Sequence, residues 1–146
     1  MGLKLKKIQK IKTFDGHMIP IFRDWDHSVN EGHLPKMVYA TTLERKVKKD
    51  IILHEKRTSY LTCIQGSVKI EFMEDNEIKE AILDATIYND SIDLALISPN
   101  IPIQLENLTD ETAIIINCPS PSWHPDDQDT IKFKSWSDFK QWKSKD

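Results

Sequence analysis

Four glycines stand in this 146-residue chain, at positions 2, 16, 32 and 66. They are too few and too dispersed for a phosphate-cradling loop of either nucleotide-binding kind. There is no GxSxG elbow and no serine in an activating motif, which removes the hydrolase chemistry that such an elbow serves. Two cysteines, Cys63 and Cys118, sit in apolar strand-like runs with no CxxC spacing. They read as buried free thiols of a reducing compartment, and a cytoplasmic location is the expectation. A long apolar run is also missing. The N-terminal MGLKLKKIQKIKTF is basic and interrupted by lysines, so it reads as neither a signal peptide nor a membrane span. Lys6 stands where a myristoylation signal needs Ser or Thr. Nor does one sign of charge dominate: 20 Lys+Arg against 23 Asp+Glu leave a formal −3, with no global basic field to hold nucleic acid or an anionic membrane.

What is present reads as one domain over residues 1–146, long enough for a single buried core. Its core spans about 37–133, with N-terminal edge strands in 3–22 and a helix at about 135–144. Strand signals dominate. Leu3, Leu5, Ile8, Ile11 and Phe14 are irregularly spaced among lysines, as in a charged, bulged edge strand. His17–Phe22 and Met37–Leu43 are short β-rich runs. Ser67–Phe72 alternates, with Val68, Ile70 and Phe72 on one face and Ser67, Lys69 and Glu71 on the other. Ile78–Leu83, Ala95–Ile97 and Thr112–Asn117 follow, the last with three consecutive isoleucines expected to be covered on both faces. Turn signals at Asp15-Gly16, Glu74-Asp75-Asn76, Asn89-Asp90 and Thr109-Asp110 recur at the spacing of a β-sandwich or barrel. Only the C-terminus reads as helix: Ser135 can cap it, and Trp136, Phe139 and Trp142 share a broad face that would dock on the barrel or on a partner. Lys46, Lys48 and Lys49 read as a solvated basic loop. The acids around Asp126, in a Pro-flanked DDQD, read as a solvated turn rather than a glycosidase couple.

The most informative stretch is LHEKRTSYLTCIQGSVKI, Leu53–Ile70, which puts a lone His54 ahead of an alternating segment that turns at Gly66. Its partner is ISPNIPIQLENL, Ile97–Leu108, a Pro-rich corner suited to the opposing wall of a small barrel. Two such half-motifs separated by a hairpin and a loop predict an all-β cupin-type jelly roll, a double-stranded β-helix with a short C-terminal helix. Metal-binding cupins offer two His and a Glu from the first motif and one His from the second. Here Lys56, the Ser59/Tyr60 position and Ile103 occupy those places. One imidazole cannot hold a catalytic ion that needs roughly three protein ligands. No metal and no cofactor is expected.

Together with SWHPDDQD running into IKF, these segments resemble the dTDP-4-dehydrorhamnose 3,5-epimerases, particularly shorter relatives in polysaccharide biosynthesis. The resemblance covers roughly Met37–Phe133. It implies a metal-independent epimerase or isomerase that abstracts a proton beside the ketone of a dTDP-4-dehydro-6-deoxyhexose-like nucleotide sugar. It also implies a homodimer. His54 aligns with the general base of that family, a task suited to imidazole. Asn117 falls at its proton-returning tyrosine and Trp123 at its second aromatic. Ile51, Ser59 and Ile103 replace a family arginine, lysine and histidine, Asn100 replaces the corner glycine, and the acid that orients the family histidine has no counterpart. Around His54, Arg57 or Arg23 could grip a pyrophosphate. Tyr60 could donate to an enolate oxygen if residues 54, 56, 58 and 60 shared one face of an unbroken strand. Trp123 could stack on a base or sugar. Two alternatives stay open: a non-catalytic cupin that binds a sugar nucleotide or another small ligand, and a 3,4-ketoisomerase using the same base.

Overall fold

Period-two alternation of apolar residues builds two antiparallel sheets that face each other, and parity along each strand decides what points between them. The computed structural model describes residues 2–87, 90–122, 124–126 and 129–145. The N-terminal part contains β1 (Leu3–Gln9), the small hairpin β2 (Ile11–Thr13) and β3 (Gly16–Met18), one helical turn α1 (His27–Asn30) and β4 (Tyr39–Leu43). Then come β5 (Ile51–Leu53), β6 (Ser59–Gln65), β7 (Ser67–Glu74), β8 (Glu77–Asp84) and β9 (Ser91–Ile97). The chain closes with β10 (Ile103–Asn107), β11 (Ala113–Asn117), β12 (Ile131–Phe133) and α2 (Trp136–Ser144). One five-stranded sheet runs β1-β9-β6-β11-β4, and the other β12-β5-β10-β7-β8. The expected N-terminal edge strand is thus an edge, with Lys4 and Lys6 both paired to Glu31.

Three apolar layers follow from that parity. Between the sheets, Leu43, Leu61, Ala113 and Ile115 meet Val68, Ile70, Ile103 and Leu105. Full burial of each large aliphatic chain contributes about 1.5–3 kcal/mol. On the outer face of the first sheet, Ile8, Tyr60, Leu94, Leu96 and Cys118 pack beneath the 19–22 segment. Outside the second sheet, Ile51, Leu53 and Phe133 lie under α2 through Phe139, Trp136 and Trp142. Ser135 Oγ accepts from the Asp138 N–H at 3.1 Å, the N-cap its sequence position implied, and the Phe133 and Phe139 rings meet edge-on at 5.3 Å. Cys63 and Cys118 are buried and unbridged.

Two of the positions with positive φ hold the two motifs in place. Gly66 has φ +86°, and a Cβ there would sit 3.1 Å from the Ala113 Cβ, so the β6–β7 turn admits glycine for conformational and packing reasons together. Asn100, φ +67°, occupies the corner as a residue that tolerates the left-handed region. Its N–H donates to the His54 carbonyl at 2.8 Å, tying the second motif to the first.

Candidate functional site

Side chains of both sheets line a cavity of about 670 Å³. The first sheet contributes Tyr39, Thr41, Ser59, Leu61, Ile115 and Asn117 to its wall, and the second Ile52, His54, Ile103 and Leu105. Met37, Arg57, Thr130 and the exposed Lys49 and Lys132 complete the lining. Among the described residues neither lysine is in an ion pair. The cavity is therefore apolar over much of its wall, with a few convergent polar groups and cationic residues in its lining, the usual make-up of a small-molecule site.

His54 reaches the cavity because Ile51 and Leu53 are committed to the layer under α2, which turns Ile52 and His54 to the opposite face. The chain then breaks. The Asp129 carboxylate accepts from the backbone N–H groups of Glu55, Lys56 and Arg57 at 3.1, 2.9 and 3.0 Å, satisfying three consecutive donors as an anion does at a helix start. The main-chain carbonyl of the same residue lies 2.8 Å from His54 Nδ1. A carbonyl only accepts, so Nδ1 carries the proton and Nε2 keeps its lone pair. Thr130 Oγ1 lies 3.3 Å from the same nitrogen. Burial holds the imidazole below its ordinary pKa. The Arg57 charge adds to that, and the Asp129 carbonyl and carboxylate oppose it. At neutral pH His54 is thus a neutral proton acceptor with a fixed tautomer.

Across the cavity, Tyr39 on β4 and Asn117 on β11 are register partners. Asn117 Nδ2–H donates to the Tyr39 hydroxyl oxygen at 2.7 Å. Asn117 is 5% exposed, and its Oδ1 is buried with no hydrogen-bond partner among the described residues.

The sequence candidates divide accordingly. His54, Arg57 and Asn117 come together in the cavity wall. Arg57 is buried in spite of its charge. Tyr60 does not join them: the turn at 55–57 carries the chain from one sheet to the other, which reverses the parity that an unbroken strand would have kept. Ser59 and Leu61 face inward, while Tyr60 is fully buried outside, edge-on to Phe22 at 5.8 Å and His33 at 6.0 Å. Burial first, with the charge of Glu31 and then Cys118, pushes its phenol well above the usual range. Arg23 is also outside the lining, bonded to Asp26 at 2.7 Å and stacked 4.7 Å over the Trp25 ring. Trp123 lies outside the described residues. Among the described residues no three His, Cys, Asp or Glu side chains converge as a metal cluster, and no helix is long and apolar enough to cross a membrane.

Two residues went unread in the sequence. Tyr39 sat in a run recognised only as a short strand; its signal was a register with Asn117 that no local pattern reveals. Asp129 belonged to the DDQD turn. Its one local cue, the readiness of Asp to take positive φ and bond nearby N–H groups, does not announce a contact 75 residues back in the chain.

Comparison with solved structures decides the fold. Over 99% of this chain and 96% of its own, the sugar 3,4-ketoisomerase QdtA from Thermoanaerobacterium thermosaccharolyticum, in complex with TDP, superposes with a TM-score of 0.74 at 21% identity. A dTDP sugar isomerase from Desulfovibrio desulfuricans matches with a TM-score of 0.77 at 13% identity, over 93% of this chain and 87% of its own. The fold is a cupin jelly roll. A 3,4-ketoisomerase from Helicobacter canadensis shares it as well, with a TM-score of 0.74, 15% identity and 97% of both chains covered. No family model and no curated protein matches this cupin.

Proposed function

We propose that this cupin is a metal-independent isomerase of nucleotide-linked keto sugars, of the 3,4-ketoisomerase kind, with His54 as general base. The observation that carries the reading is the His54 tautomer: Nδ1–H bonded to the Asp129 carbonyl leaves Nε2 as the proton acceptor of a cavity-lining imidazole. The sugar ketone sits between His54 and Tyr39. His54 takes the proton from C3, the electron pair forms a C3–C4 double bond, and the C4 oxygen gains a proton to give an enediol. Loss of the O3 proton re-forms a ketone at C3 while C4 receives a proton, so hydrogen is conserved and no oxidant is needed. Tyr39, its oxygen already accepting from Asn117, is the group placed to donate to the oxygen on which charge develops. Lys49, Lys132 and Arg57 supply cationic partners for a diphosphate.

The fold shared with nucleotide-sugar 3,4-ketoisomerases over nearly the whole chain supports this reading over the 3,5-epimerase one. A homodimer belongs to the same proposal: Phe14, Met18, Trp25 and Val38 are exposed in the isolated chain, large apolar side chains that a second copy would cover. Proton NMR in D2O of dTDP-4-keto-6-deoxyglucose, with wild type and His54→Ala, tests the chemistry. Deuterium entering the sugar ring and a carbonyl moved to C3 with wild type alone are expected. Saturable binding without exchange would leave a binding module, and no binding would remove this substrate class.

A further inference from the structure

Along β6, Ser59, Leu61 and Cys63 point the same way by strand parity, and Leu61 and Cys63 belong to the apolar layer between the sheets. Ser59 takes the next position on that face, where an aliphatic side chain would contribute its burial instead. It is 4% exposed, and among the described residues its hydroxyl makes no hydrogen bond. Yet Ser59 Oγ is not one of the buried atoms closed off without a partner, as Asn117 Oδ1 is. The oxygen therefore keeps accessible surface, and the space it opens on is the cavity that the residue lines. One hydrogen and two lone pairs are available there. A position that gives up apolar burial and gains no bond within the protein is one where function overrides packing.

Depth and topology say what meets it. Lys49 and Lys132, suited to a diphosphate, are exposed, whereas Ser59 is as buried as the aliphatic lining, with Leu61 at 5% and Ile103 at 3%. A nucleotide sugar with its diphosphate at the lysines has its sugar, not its phosphates, against Ser59. The 55–57 turn carries the chain between the sheets. Ser59 thus faces the cavity from the sheet opposite His54 while standing only that turn away from it along the chain. The ring atoms beside the base are therefore the ones within its range. We propose that Ser59 is a substrate-binding residue whose hydroxyl bonds a ring hydroxyl of the keto sugar, on C3, which His54 deprotonates, or on the adjacent C2. This rests on the keto-sugar reading above and adds a group that holds the sugar against the base. A sugar lacking that hydroxyl leaves Ser59 as unserved as it is without ligand, and a site built to bond a hydroxyl discriminates against the analogue that has none.

One measurement of stability and one of kinetics test this on wild type and Ser59→Ala. In thermal unfolding the variant melts no lower than wild type, because the hydroxyl it loses has no partner within the protein. A fall of about 3 °C or more shows a structural bond and overturns the proposal. In steady-state isomerisation of TDP-4-keto-6-deoxyglucose, kcat/KM falls about tenfold in the variant, while TDP inhibits both proteins equally well. The 2-deoxy and 3-deoxy analogues of the keto sugar are then used as competitors. One of them binds both proteins alike, and that one names the hydroxyl. A kcat/KM unchanged by Ser59→Ala overturns the proposal, as does an equal loss for TDP or a tenfold loss that persists with both analogues. A wild type that does not isomerise the keto sugar overturns the reading of the whole site, so the two failures are told apart by the unmodified protein alone.

Discussion

Removing the Asp129 carboxylate isolates what holds His54 in place. Asp129→Ala deletes three hydrogen bonds to backbone N–H groups yet keeps the main-chain carbonyl that meets His54 Nδ1. Bonds to a charged acceptor are each worth about 1.5–3 kcal/mol when buried. Glu55 and Lys56 are exposed, so water replaces their bonds at little loss; only the N–H of Arg57, a residue 4% exposed, loses nearly the full amount. Asp129 also has φ +51°, and alanine in the left-handed region costs roughly 1–2 kcal/mol. The expected destabilisation is about 4 kcal/mol for Asp129→Ala. It is about 2 kcal/mol for Asp129→Asn, which tolerates that φ and retains one uncharged acceptor. Urea unfolding followed by tryptophan fluorescence measures both. A second readout separates anchoring from bulk stability. Loss of the carboxylate charge alone lowers the His54 pKa, since that charge favours the imidazolium. Loosening of the 55–57 turn instead hydrates the ring and relieves the larger burial effect. A net upward movement toward the ordinary value near 6.5 in the proton NMR titration is the expected sign of loosening. An Asp129→Ala protein less than about 0.5 kcal/mol weaker than wild type, with His54 titrating as before, would refute the anchoring argument.

Four further outcomes are expected. Because burial holds folded His54 below its unfolded pKa, the unfolded chain binds this proton first as pH falls. The stability this residue contributes is therefore complete above about pH 6.5 and is lost as pH drops through the folded value. The acid limb of the exchange rate lies below about 6.5 for the same reason, and a limb at or above that value would contradict the buried, neutral imidazole. Gly66→Ala meets both a positive φ and the Ala113 backbone Cα 3.2 Å away, so it lowers unfolding free energy by about 1–3 kcal/mol by thermal or urea denaturation. Asn107→Ala removes an amide whose Nδ2 reaches the Leu43, Glu44 and Glu111 carbonyls and whose Oδ1 accepts from Thr109. With Asn107 1% exposed, about 3 kcal/mol is lost, and a midpoint shift under a quarter of that size would show the network to be dispensable.

Much of the fold was legible because strand periodicity is local. Val68, Ile70 and Phe72 announce an inward face without reference to anything distant, and Ser135 announces a helix start in the same way. The short strand Ile51–Leu53 was not read, since three residues carry too little pattern. His54 was found through its motif, but its neighbours were misjudged wherever their placement depended on remote contacts. Tyr60 illustrates this: alternation counted from His54 puts it in the cavity only if the strand runs on, and an aspartate 72 residues past Arg57 breaks it there.

The sequence by itself determined the class of architecture, a β-rich chain with a capped C-terminal helix, buried thiols and one histidine in a position of note. Those properties follow from side-chain polarity at periods of two and 3.6, which every few residues express unaided. Only the tertiary structure decided which groups share the cavity, that Tyr39 stands beside Asn117, and which nitrogen of His54 carries the proton. Each of those facts is a relation between strands joined by register and by a distant backbone carbonyl. Register between strands far apart in the chain is settled by the packing of whole sheets, where a one-residue slip would turn every side chain to the other face.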